Sequence, residues 1–446
     1  MISTKWFLSV LKIVIGLLLI TLFLFAPLAK TASWLSDPGL GNGQIPAFTY
    51  DWHQSLSERI GPWARKRAES GVASELSIYD ISGTEWPIFS GVFYLWATEA
   101  LEEDAKRRGV PKEQLPSVYA KEPIEAVADL VADPRHANWV KIHWGKDYLT
   151  KENLFYRMLL ISGLSSYQKL SGNNYYEDEL RQQTLSLARE LDASPFGLLD
   201  DYPGQCYPID IVTAVAAIAR ADQLLGTDHS GIIQRAVRGF EGTRLDSQTG
   251  LPAYVADSTT GKGIGSARGV GVSFMSLWAA EIWPDKAEQW YEGLIQHFWN
   301  SGIFVSGVRE FPRSVRDSDW LMDVDSGPVI AGFGTTASVF GLAAARTFGD
   351  TSRAYALSTQ ALATLWPTWN NTLISPYMLS NLSDAPYTGE AIILFAFTRT
   401  PYQGISSDSP DMAVPLSVFL LLGLPLMFGL YFLLKLYRHA RSFFID

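Results

Sequence analysis

The chain has 446 residues, of which 47% are hydrophobic, 13% aromatic and 18% charged, and its formal net charge is -10 at pH 7. This content of apolar side chains excludes a disordered or fibrous protein, and the acidic balance argues against a nucleic-acid binder, which needs a basic face. The single cysteine excludes an intrachain disulfide and any multi-cysteine metal site. Length alone predicts about three average domains, but the pattern along the chain predicts one domain between two membrane helices.

The first predicted element is a transmembrane helix at residues 6–29. It contains one charged residue, Lys12, and it is long enough to cross a hydrocarbon core about 30 Å thick. The alternative is a signal peptide that is cleaved at the small residues near Ala29 to Ala32. Because the apolar region is long for a signal peptide, we expect an uncleaved span or signal anchor.

The last predicted element is a second transmembrane helix at residues 414–434, which contains no charged residue. A basic tail at 435–446 follows it, and an acidic stretch at 406–411 precedes it. Lys and Arg are retained on the cytoplasmic side of a membrane, so the C-terminus is predicted to be cytoplasmic. A weaker lysine bias before the first span allows a cytoplasmic N-terminus, and this places the domain at 33–410 on the extracytoplasmic, periplasmic side.

Between the two spans, helical periodicity dominates and strand alternation is scarce. Proline is favoured in the first turn of a helix, and four strongly apolar helices are predicted to begin at Pro87, Pro208, Pro328 and Pro386. The intervals between these prolines are 121, 120 and 58 residues. A repeating unit of about sixty residues therefore predicts two more helix starts, near Lys151 and Ala267.

Amphipathic helices lie between the apolar ones, so that the second helix of each pair is the more apolar. The predicted amphipathic helices span 53–67, 123–132, 175–191, 230–244, 286–299 and 352–366. An inner helix with neighbours on both sides is expected to be apolar nearly all round, whereas an outer helix keeps one solvated face. The sequence therefore predicts an all-α fold, an (α/α)6 toroid of six helical hairpins at 33–410; an open helical solenoid is the alternative.

In such a toroid, the connections that lead into the inner helices gather on one face. They are long here and rich in Asp, Trp, Tyr and Gly, and long loops on a rigid scaffold commonly carry functional sites. Two segments are the most informative: DYPGQCYPID at 201–210 and DVDSGP at 323–328. Carboxylates that face each other across a cavity suit acid/base chemistry, although an Asp near a helix N-terminus can also serve only as a cap.

The candidate site residues come from these connections. The predicted catalytic residues are Asp210, Asp325, Asp323 and Cys206. The predicted substrate-binding residues are Glu85, Trp86, Trp144, Asp201, Gln205, Tyr207, Arg268, Tyr387 and Glu390. For Cys206, a small buried core residue is the alternative to an acid/base or nucleophilic thiol. No metal or cofactor is predicted, and a calcium site is a minor alternative because hard oxygen ligands occur at Asp317, Asp319, Asp323 and Asp325.

The paired helices resemble the six-hairpin (α/α)6 toroid superfamily, which holds many glycoside hydrolases and polysaccharide lyases and also the linalool dehydratase/isomerase enzymes. The segments YPGQCYPID, GSARG, GVREFP and DVDSGP are similar to bacterial membrane or secreted proteins with a linalool dehydratase/isomerase-like domain. The resemblance implies cysteines acting with acidic and tyrosine residues to protonate and dehydrate a small terpene alcohol. Only Cys206 can match a catalytic cysteine here, so the two-cysteine arrangement is absent.

Three functions follow as alternatives. The first is a membrane-anchored extracytoplasmic enzyme that hydrolyses a carbohydrate or glycan, with Asp210 and an Asp323 or Asp325 carboxylate as the catalytic pair. The second is a lyase or isomerase of the linalool dehydratase type, with Cys206 and Asp210 in acid/base roles. The third is a non-catalytic toroid that binds a glycan or scaffolds a membrane complex. The predicted partners are membrane lipid, through both terminal helices, and a glycan or small molecule.

Overall fold

A computed structural model describes residues 4–77, 80–315, 320–380, 384–404 and 414–445. The protein is mostly helical, with 67% of its residues in helices. The helices are α1 (Thr4–Ile20), α2 (Ala26–Leu35), α3 (Phe48–Ser70), α4 (Ile81–Thr84), α5 (Trp86–Arg107), α6 (Pro116–Tyr119), α7 (Lys121–Ala132), α8 (Asn138–Trp144), α9 (Leu154–Ser171), α10 (Glu177–Ala193), α11 (Pro208–Leu225), α12 (Ser230–Ala236), α13 (Gly269–Ile282), α14 (Pro284–His297), α15 (Thr335–Thr347), α16 (Thr351–Leu365), α17 (Ile374–Ser380), α18 (Thr388–Thr398) and α19 (Leu416–Ile445). The strands are β1 (Val255–Asp257), β2 (Lys262–Ile264), β3 (Trp299–Ser301), β4 (Ser306–Val308), β5 (Trp320–Asp323), β6 (Gly327–Ile330) and β7 (Phe333–Gly334).

Six apolar helices pack side by side in the middle of the molecule, and we call them the inner helices: α5, α9, α11, α13, α15 and α18. Each packs against the next along the chain, and α18 packs against α5. Most of their residues are buried, and in α13 every residue except Glu281 is buried. A helix with neighbours on both sides has little surface left for solvent, which explains why these sequences are apolar nearly all round.

The amphipathic helices pack on the outside of the inner ones. Helix α3 contacts α18 and α7, α7 contacts α5 and α9, α10 contacts α9 and α11, α14 contacts α13, and α16 contacts α15. The predicted helix at 230–244 is shorter than expected, because α12 ends at Ala236 and two 3-10 turns follow it. Each outer helix leads through a long connection into an inner helix, so these connections lie at the N-terminal ends of the inner helices.

Aromatic rings fill the centre between the inner helices. The ring centroid of Phe93 lies 5.0–6.0 Å from those of Trp96, Phe274, Phe340 and Phe395. These five side chains come from α5, α13, α15 and α18. Much of the high aromatic content is therefore core packing, about two helical turns below the start of α5.

One predicted helix start is wrong. Pro328 lies in β6, and α15 begins only at Thr335. Strand β6 pairs antiparallel with both β5 and β7, and its β-branched Val329 and Ile330 lie opposite Leu321 and Trp320 of β5. β-branched side chains favour the extended conformation over the helical one, so the apolar run after Pro328 forms a hairpin strand before the helix begins. Two further antiparallel ribbons, β1–β2 and β3–β4, lie in the neighbouring connections.

Two terminal helices are long and apolar enough to cross a membrane, Leu8–Leu35 and Leu416–Ser442. The predicted spans at 6–29 and 414–434 fall on these helices. Helix α1 packs against α19, and α2 packs against α16 of the domain. Trp34 near the end of α2 is 5% exposed and stacks on Phe48 with ring centroids 4.8 Å apart, so the end of the first helix is part of the domain core.

Candidate functional site

The segment 201–210 forms a tight turn that leads directly into α11. The Gln205 N–H donates to the carbonyl of Tyr202 at 2.8 Å and closes a reverse turn around a Pro-Gly pair. Gly204 has a φ of +79°, a conformation that favours glycine at the third position of such a turn. A proline then occupies the first position of α11, and Asp210 follows in the first helical turn, as the sequence predicts.

The Asp210 carboxyl is the least satisfied group of the site. It is half-buried, and no described residue donates a hydrogen bond to it. Burial raises the pKa of Asp210 well above its usual value, and the negative charges of Asp325 and Glu85 raise it further. A carboxyl that keeps its proton and has no partner can donate that proton to a substrate.

Glu85 lies directly before α5 and forms a short hydrogen bond across the site. The Tyr202 hydroxyl donates to Glu85 Oε1 at 2.5 Å. Burial raises the pKa of Glu85 to about 7, although the bond from Tyr202 opposes the shift; the charge of Asp325 adds to it. A carboxyl that titrates near neutral pH is suited to general acid or base catalysis.

Asp325 lies in the turn between β5 and β6 and is held by a second tyrosine. The Tyr254 hydroxyl donates to Asp325 Oδ2 at 2.7 Å. Burial of the carboxyl raises the pKa of Asp325; the Tyr254 bond opposes this shift, and the charge of Asp323 adds to it. The rings of Tyr254 and Tyr207 meet edge to face with centroids 5.7 Å apart, so Tyr207 lies beside the Asp325 carboxylate.

Arg268, the residue before α13, ties the β5–β6 turn to the domain. Its Nε donates to Glu310 Oε1 at 2.6 Å, and its Nη2 donates to Ser326 Oγ at 2.8 Å and lies 3.1 Å from Asp323 Oδ1. Burial would raise the pKa of Asp323, but the hydrogen bond and charge of Arg268 keep it below the usual value. Asp323 Oδ1 also accepts the N–H groups of Asp325 and Ser326. Asp323 therefore shapes the turn that presents Asp325.

Asp201 and Cys206 are buried beneath the turn. Asp201 is 1% exposed, and its Oδ2 accepts the Tyr207 N–H at 2.7 Å. Burial and the charge of Asp210 raise the pKa of Asp201 well above its usual value. Cys206 is fully buried, and burial together with nearby carboxylates raises the pKa of its thiol. The thiol is therefore protonated at neutral pH, which disfavours a thiolate nucleophile; its acid/base role stays a prediction.

The aromatic and amide side chains that are predicted to bind substrate lie next to the group of carboxyl residues described above. Gln205 is exposed, and its Oε1 accepts the Tyr207 hydroxyl at 3.3 Å. Trp86 begins α5 and Trp144 ends α8, and both side chains are half-buried. All of them lie at the helix-start end of the molecule, where flat aromatic surfaces can pack on a ligand.

Glu390 and Tyr387 form a different group on the same side. Glu390 is fully buried; it accepts two hydrogen bonds from Arg59, at 2.9 and 2.6 Å, and one from Trp52 Nε1 at 2.9 Å. The Arg59 guanidinium lies 5.4 Å from the centre of the Tyr387 ring. Because its acceptor capacity is already used by α3, Glu390 is tied to a structural ion pair rather than to the Asp210 group.

The minor calcium alternative involves two residues, Asp317 and Asp319, that lie outside the described residues. The other two ligands of that alternative are engaged, Asp323 by Arg268 and Asp325 by Tyr254. Within the described part of the chain, no group of three or more His, Cys, Asp or Glu side chains is arranged to hold a metal ion.

Sequence reasoning missed three members of the site: Tyr202, Tyr254 and Glu310. Glu310 is fully buried, and burial raises its pKa to about 7 despite the charge of Arg268. The glutamate next to Arg309 in the otherwise uncharged GVREFP segment was a usable signal for Glu310. The tyrosines carried no such signal, because their role depends on carboxylates more than 70 residues away in the sequence.

A second buried ionic group lies toward the C-terminal ends of the inner helices. The Glu99 carboxylate accepts hydrogen bonds from Lys169 Nζ at 2.6 Å and from Arg220 Nη2 at 2.8 Å. These residues line a cavity of about 210 Å³ with Trp96 and Trp278. Each of these charged side chains has an oppositely charged partner, which distinguishes this group from the carboxyls near Asp210.

The carboxyl-rich end contains side chains in different protonation states. The pKa values of Asp210 and Asp201 are raised well above the usual range by burial and by neighbouring carboxylates, that of Glu85 is raised to about 7, and that of Asp323 is lowered by Arg268. Such a set can donate a proton and accept another within one site. No protein-family model and no curated protein matches the chain, so the function proposed below depends on the site itself.

Proposed function

We propose that the chain is a membrane-anchored (α/α)6 toroid enzyme that hydrolyses a glycan or a related carbohydrate by general acid/base catalysis. The return contact from α18 to α5 supports the toroid, since it joins the last inner helix to the first. Six helical pairs that close on themselves bury one continuous core and leave the connections at one end free to form a site.

The observation that carries the proposal is the contrast between Asp210 and Asp325. Asp210 has a raised pKa and no donor among the described residues, and it therefore acts as the acid that protonates the glycosidic oxygen. Asp325, oriented by Tyr254, acts as the carboxylate on the other side of the sugar. In an inverting reaction it takes a proton from water, whose oxygen forms the new bond to the anomeric carbon; in a retaining one it forms that bond itself.

The neighbouring residues support these roles. The negative charge of Glu85, whose pKa is about 7, disfavours ionisation of Asp210 and so helps it to keep its proton. Arg268 holds the turn that carries Asp325 through Asp323 and Ser326. Half-buried Trp86 and Tyr207 supply flat surfaces for sugar rings.

Dehydration or isomerisation of a small alcohol is the second candidate. The two tyrosine–carboxylate hydrogen bonds, Tyr202–Glu85 and Tyr254–Asp325, support it, because they are suited to moving a proton to a hydroxyl leaving group. In this reaction Asp210 protonates the hydroxyl, water leaves, and a carboxylate removes the proton from the neighbouring carbon. Burial raises the pKa of the Cys206 thiol, which makes the thiol a weak acid, so the carboxyls carry the proton transfers in this reaction.

The two reactions are separated by one screen of the full chain in lipid nanodiscs. Polysaccharides, oligosaccharides and small alcohols are offered, and reducing ends and dehydration products are measured. We expect new reducing ends with wild type and at least about 100-fold fewer with Asp325→Asn. Asp192→Asn is the control, because Asp192 forms an exposed ion pair with Arg235. Dehydration products without new reducing ends would replace the first candidate by the second.

We further propose that both terminal helices span the membrane with their ends in the cytoplasm and the domain outside it. The basic residues Lys435, Arg438 and Arg441 at the end of α19 support this orientation. A reporter that folds only in the cytoplasm is expected to be active at either end of the chain. Activity of a periplasm-dependent reporter at the C-terminus would contradict this orientation.

A further inference from the structure

Most of the exposed large apolar side chains of the domain lie in one segment of the chain. Outside the terminal helices, the described residues include fifteen exposed large hydrophobic side chains, and ten of them lie between residues 303 and 379. An exposed apolar patch of this kind marks an interaction surface more often than a scattered set does. We call the following set the apolar rim: Ile303, Phe304, Trp320, Met322, Ile330 and Trp369, which are 49–77% exposed.

The hairpin that carries Asp325 is part of this rim. Trp320 lies directly opposite Ile330 in the β5–β6 pair, and Met322 lies two residues from Trp320 on the same face. Their exposed fractions are 73%, 49% and 77%. One face of the hairpin is thus apolar and open, while its turn points Asp325 toward Tyr254.

The rest of the rim adjoins the two terminal helices. The Leu416 N–H donates to the Ile303 carbonyl at 2.9 Å, and the Ser417 N–H donates to the Phe304 carbonyl at 3.0 Å. Lys30 Nζ, on the first terminal helix, donates to the Trp369 carbonyl at 2.9 Å. The β3–β4 hairpin, whose turn contains Ile303 and Phe304, packs through β4 against β7 of the Asp325 sheet. The rim therefore lies where the chain passes from the domain into the candidate spans.

We propose that the apolar rim rests on the surface of the bilayer that the terminal helices cross, and that the site takes an amphiphilic glycan, a sugar linked to a lipid, from that surface. The substrate class rests on the proposed function. Tryptophan with one open face is favoured at the membrane–water interface, and the two helices hold the rim at that level. Asp325 is five residues from Trp320, at most about 17 Å along a strand, so a lipid-linked sugar can reach it without leaving the bilayer.

The surface is tested without reference to turnover. Met322→Cys and Tyr175→Cys are labelled with an environment-sensitive fluorophore in the full chain, which is then reconstituted into phosphatidylcholine vesicles with or without brominated acyl chains. Tyr175 is the matched control, since it is 75% exposed but lies between α9 and α10, at the other end of the inner helices. Unmodified chain, in which Cys206 is buried, measures background labelling.

We expect brominated lipid to quench the label at residue 322 at least about twofold and to leave the label at residue 175 unchanged. Equal quenching, or none, at the two positions would overturn the rim proposal whatever the enzyme activity. Quenching at 322 alone, in a protein that cleaves no glycan, would retain the rim and reject only the proposed function.

The substrate class has its own test. Met322→Glu in nanodiscs is expected to lower the turnover of a lipid-linked oligosaccharide at least about tenfold and to leave that of the same oligosaccharide without lipid unchanged. Tyr175→Glu is the control and is expected to change neither rate. Equal loss for both substrates, or for neither, would overturn delivery from the bilayer.

Discussion

The surroundings of Asp210 do not favour a purely structural role for its carboxyl. Its carboxyl is half-buried in the first turn of α11, has no described donor, and faces the charges of Glu85 and Asp325. A capping role would need a hydrogen bond from a free helix N–H to that carboxyl, and none is present among the described residues. Burial of a carboxyl without a hydrogen-bond donor costs stability, and catalysis by Asp210 as the acid would explain why this cost is kept.

The substitution Asp210→Asn is expected to stabilise the fold. The folded-state pKa of Asp210 lies above its unfolded value, so the stability linked to its bound proton is present at low pH and is lost as the pH rises through the folded pKa. An amide does not ionise, and the variant should gain about 1 kcal/mol at pH 8 and little at pH 4. Urea unfolding at the two pH values measures the gain, and a loss of stability at pH 8 would contradict it.

Tyr254→Phe is expected to change the pH dependence of turnover. The Tyr254 hydroxyl holds the pKa of Asp325 down, so its removal raises that pKa, and the ionised base is lost at a higher pH. The acidic limb of the kcat/KM profile should therefore move to higher pH. Tyr50→Phe is the matched control, since Tyr50 of α3 donates to Asp104 near the C-terminal end of α5 at 2.7 Å; an equal movement in that variant would refute the role of Tyr254.

At the level of single elements, the β5–β6 hairpin depends on one ion cluster. Arg268 joins Glu310, which is fully buried, to Asp323 and Ser326 in the turn. A buried charge that loses its partner costs far more than an exposed one. The conformation of the Asp325 turn is thus coupled to the start of α13.

The variant Arg268→Met is expected to lower the free energy of unfolding by about 3 kcal/mol at pH 8, because Glu310 loses the positive charge that holds its pKa down and must either stay ionised without a partner or take up a proton. The double variant Arg268→Met with Glu310→Leu should lose clearly less, because no buried charge is left unpaired. Arg235→Met, which breaks the exposed pair with Asp192, should cost less than about 1 kcal/mol. Equal losses in the two Arg variants, measured by urea unfolding, would contradict the account.

Helix starts were predictable where proline and an apolar periodicity coincide. Pro87 and Pro208 lie in the first turns of α5 and α11, but Pro328 does not begin a helix. Proline is also tolerated near the start of a strand, and the β-branched residues that follow Pro328 pair with β5. That pairing partner precedes Pro328 in a separate apolar stretch, and periodicity within one helix cannot detect it.

The local half of the site was predictable, and the long-range half was not. Asp201, Cys206 and Asp210 occur in one short segment, and the tight turn and helix start that place them are written in that segment. Tyr254 meets Asp325 across 71 residues, and Arg59 captures Glu390 across 331. Partners so distant depend on how the helices pack. The sequence grouped Glu390 with the site, and it gave no sign that Arg59 and Trp52 of α3 donate hydrogen bonds to its carboxylate.

For the molecule as a whole, the first terminal helix is fastened to the domain by its own last turn. Trp34 stacks on Phe48 and on Trp52 with centroids 4.8 and 6.1 Å apart. Both partners belong to α3, the first outer helix. The candidate membrane span therefore continues directly into the segment that packs in the core of the domain.

Trp34→Ala is expected to lower the free energy of unfolding of the domain by about 3 kcal/mol, because it leaves a cavity where a 5% exposed side chain was packed. Trp369→Ala is the control: Trp369 is 76% exposed, and its loss in detergent should cost less than about 0.5 kcal/mol. Thermal unfolding in detergent compares the two variants. Equal midpoints would show that the terminal helix is not fastened to the core through Trp34.

The central claim, acid/base hydrolysis by Asp210 with Asp325, is tested most directly by the rate of glycan cleavage in nanodiscs for wild type, Asp210→Asn and Asp325→Asn. The account predicts that each variant is folded, that Asp210→Asn is no less stable than wild type, and that each cleaves at least about 100-fold more slowly. Cleavage by Asp210→Asn at the wild-type rate would contradict it.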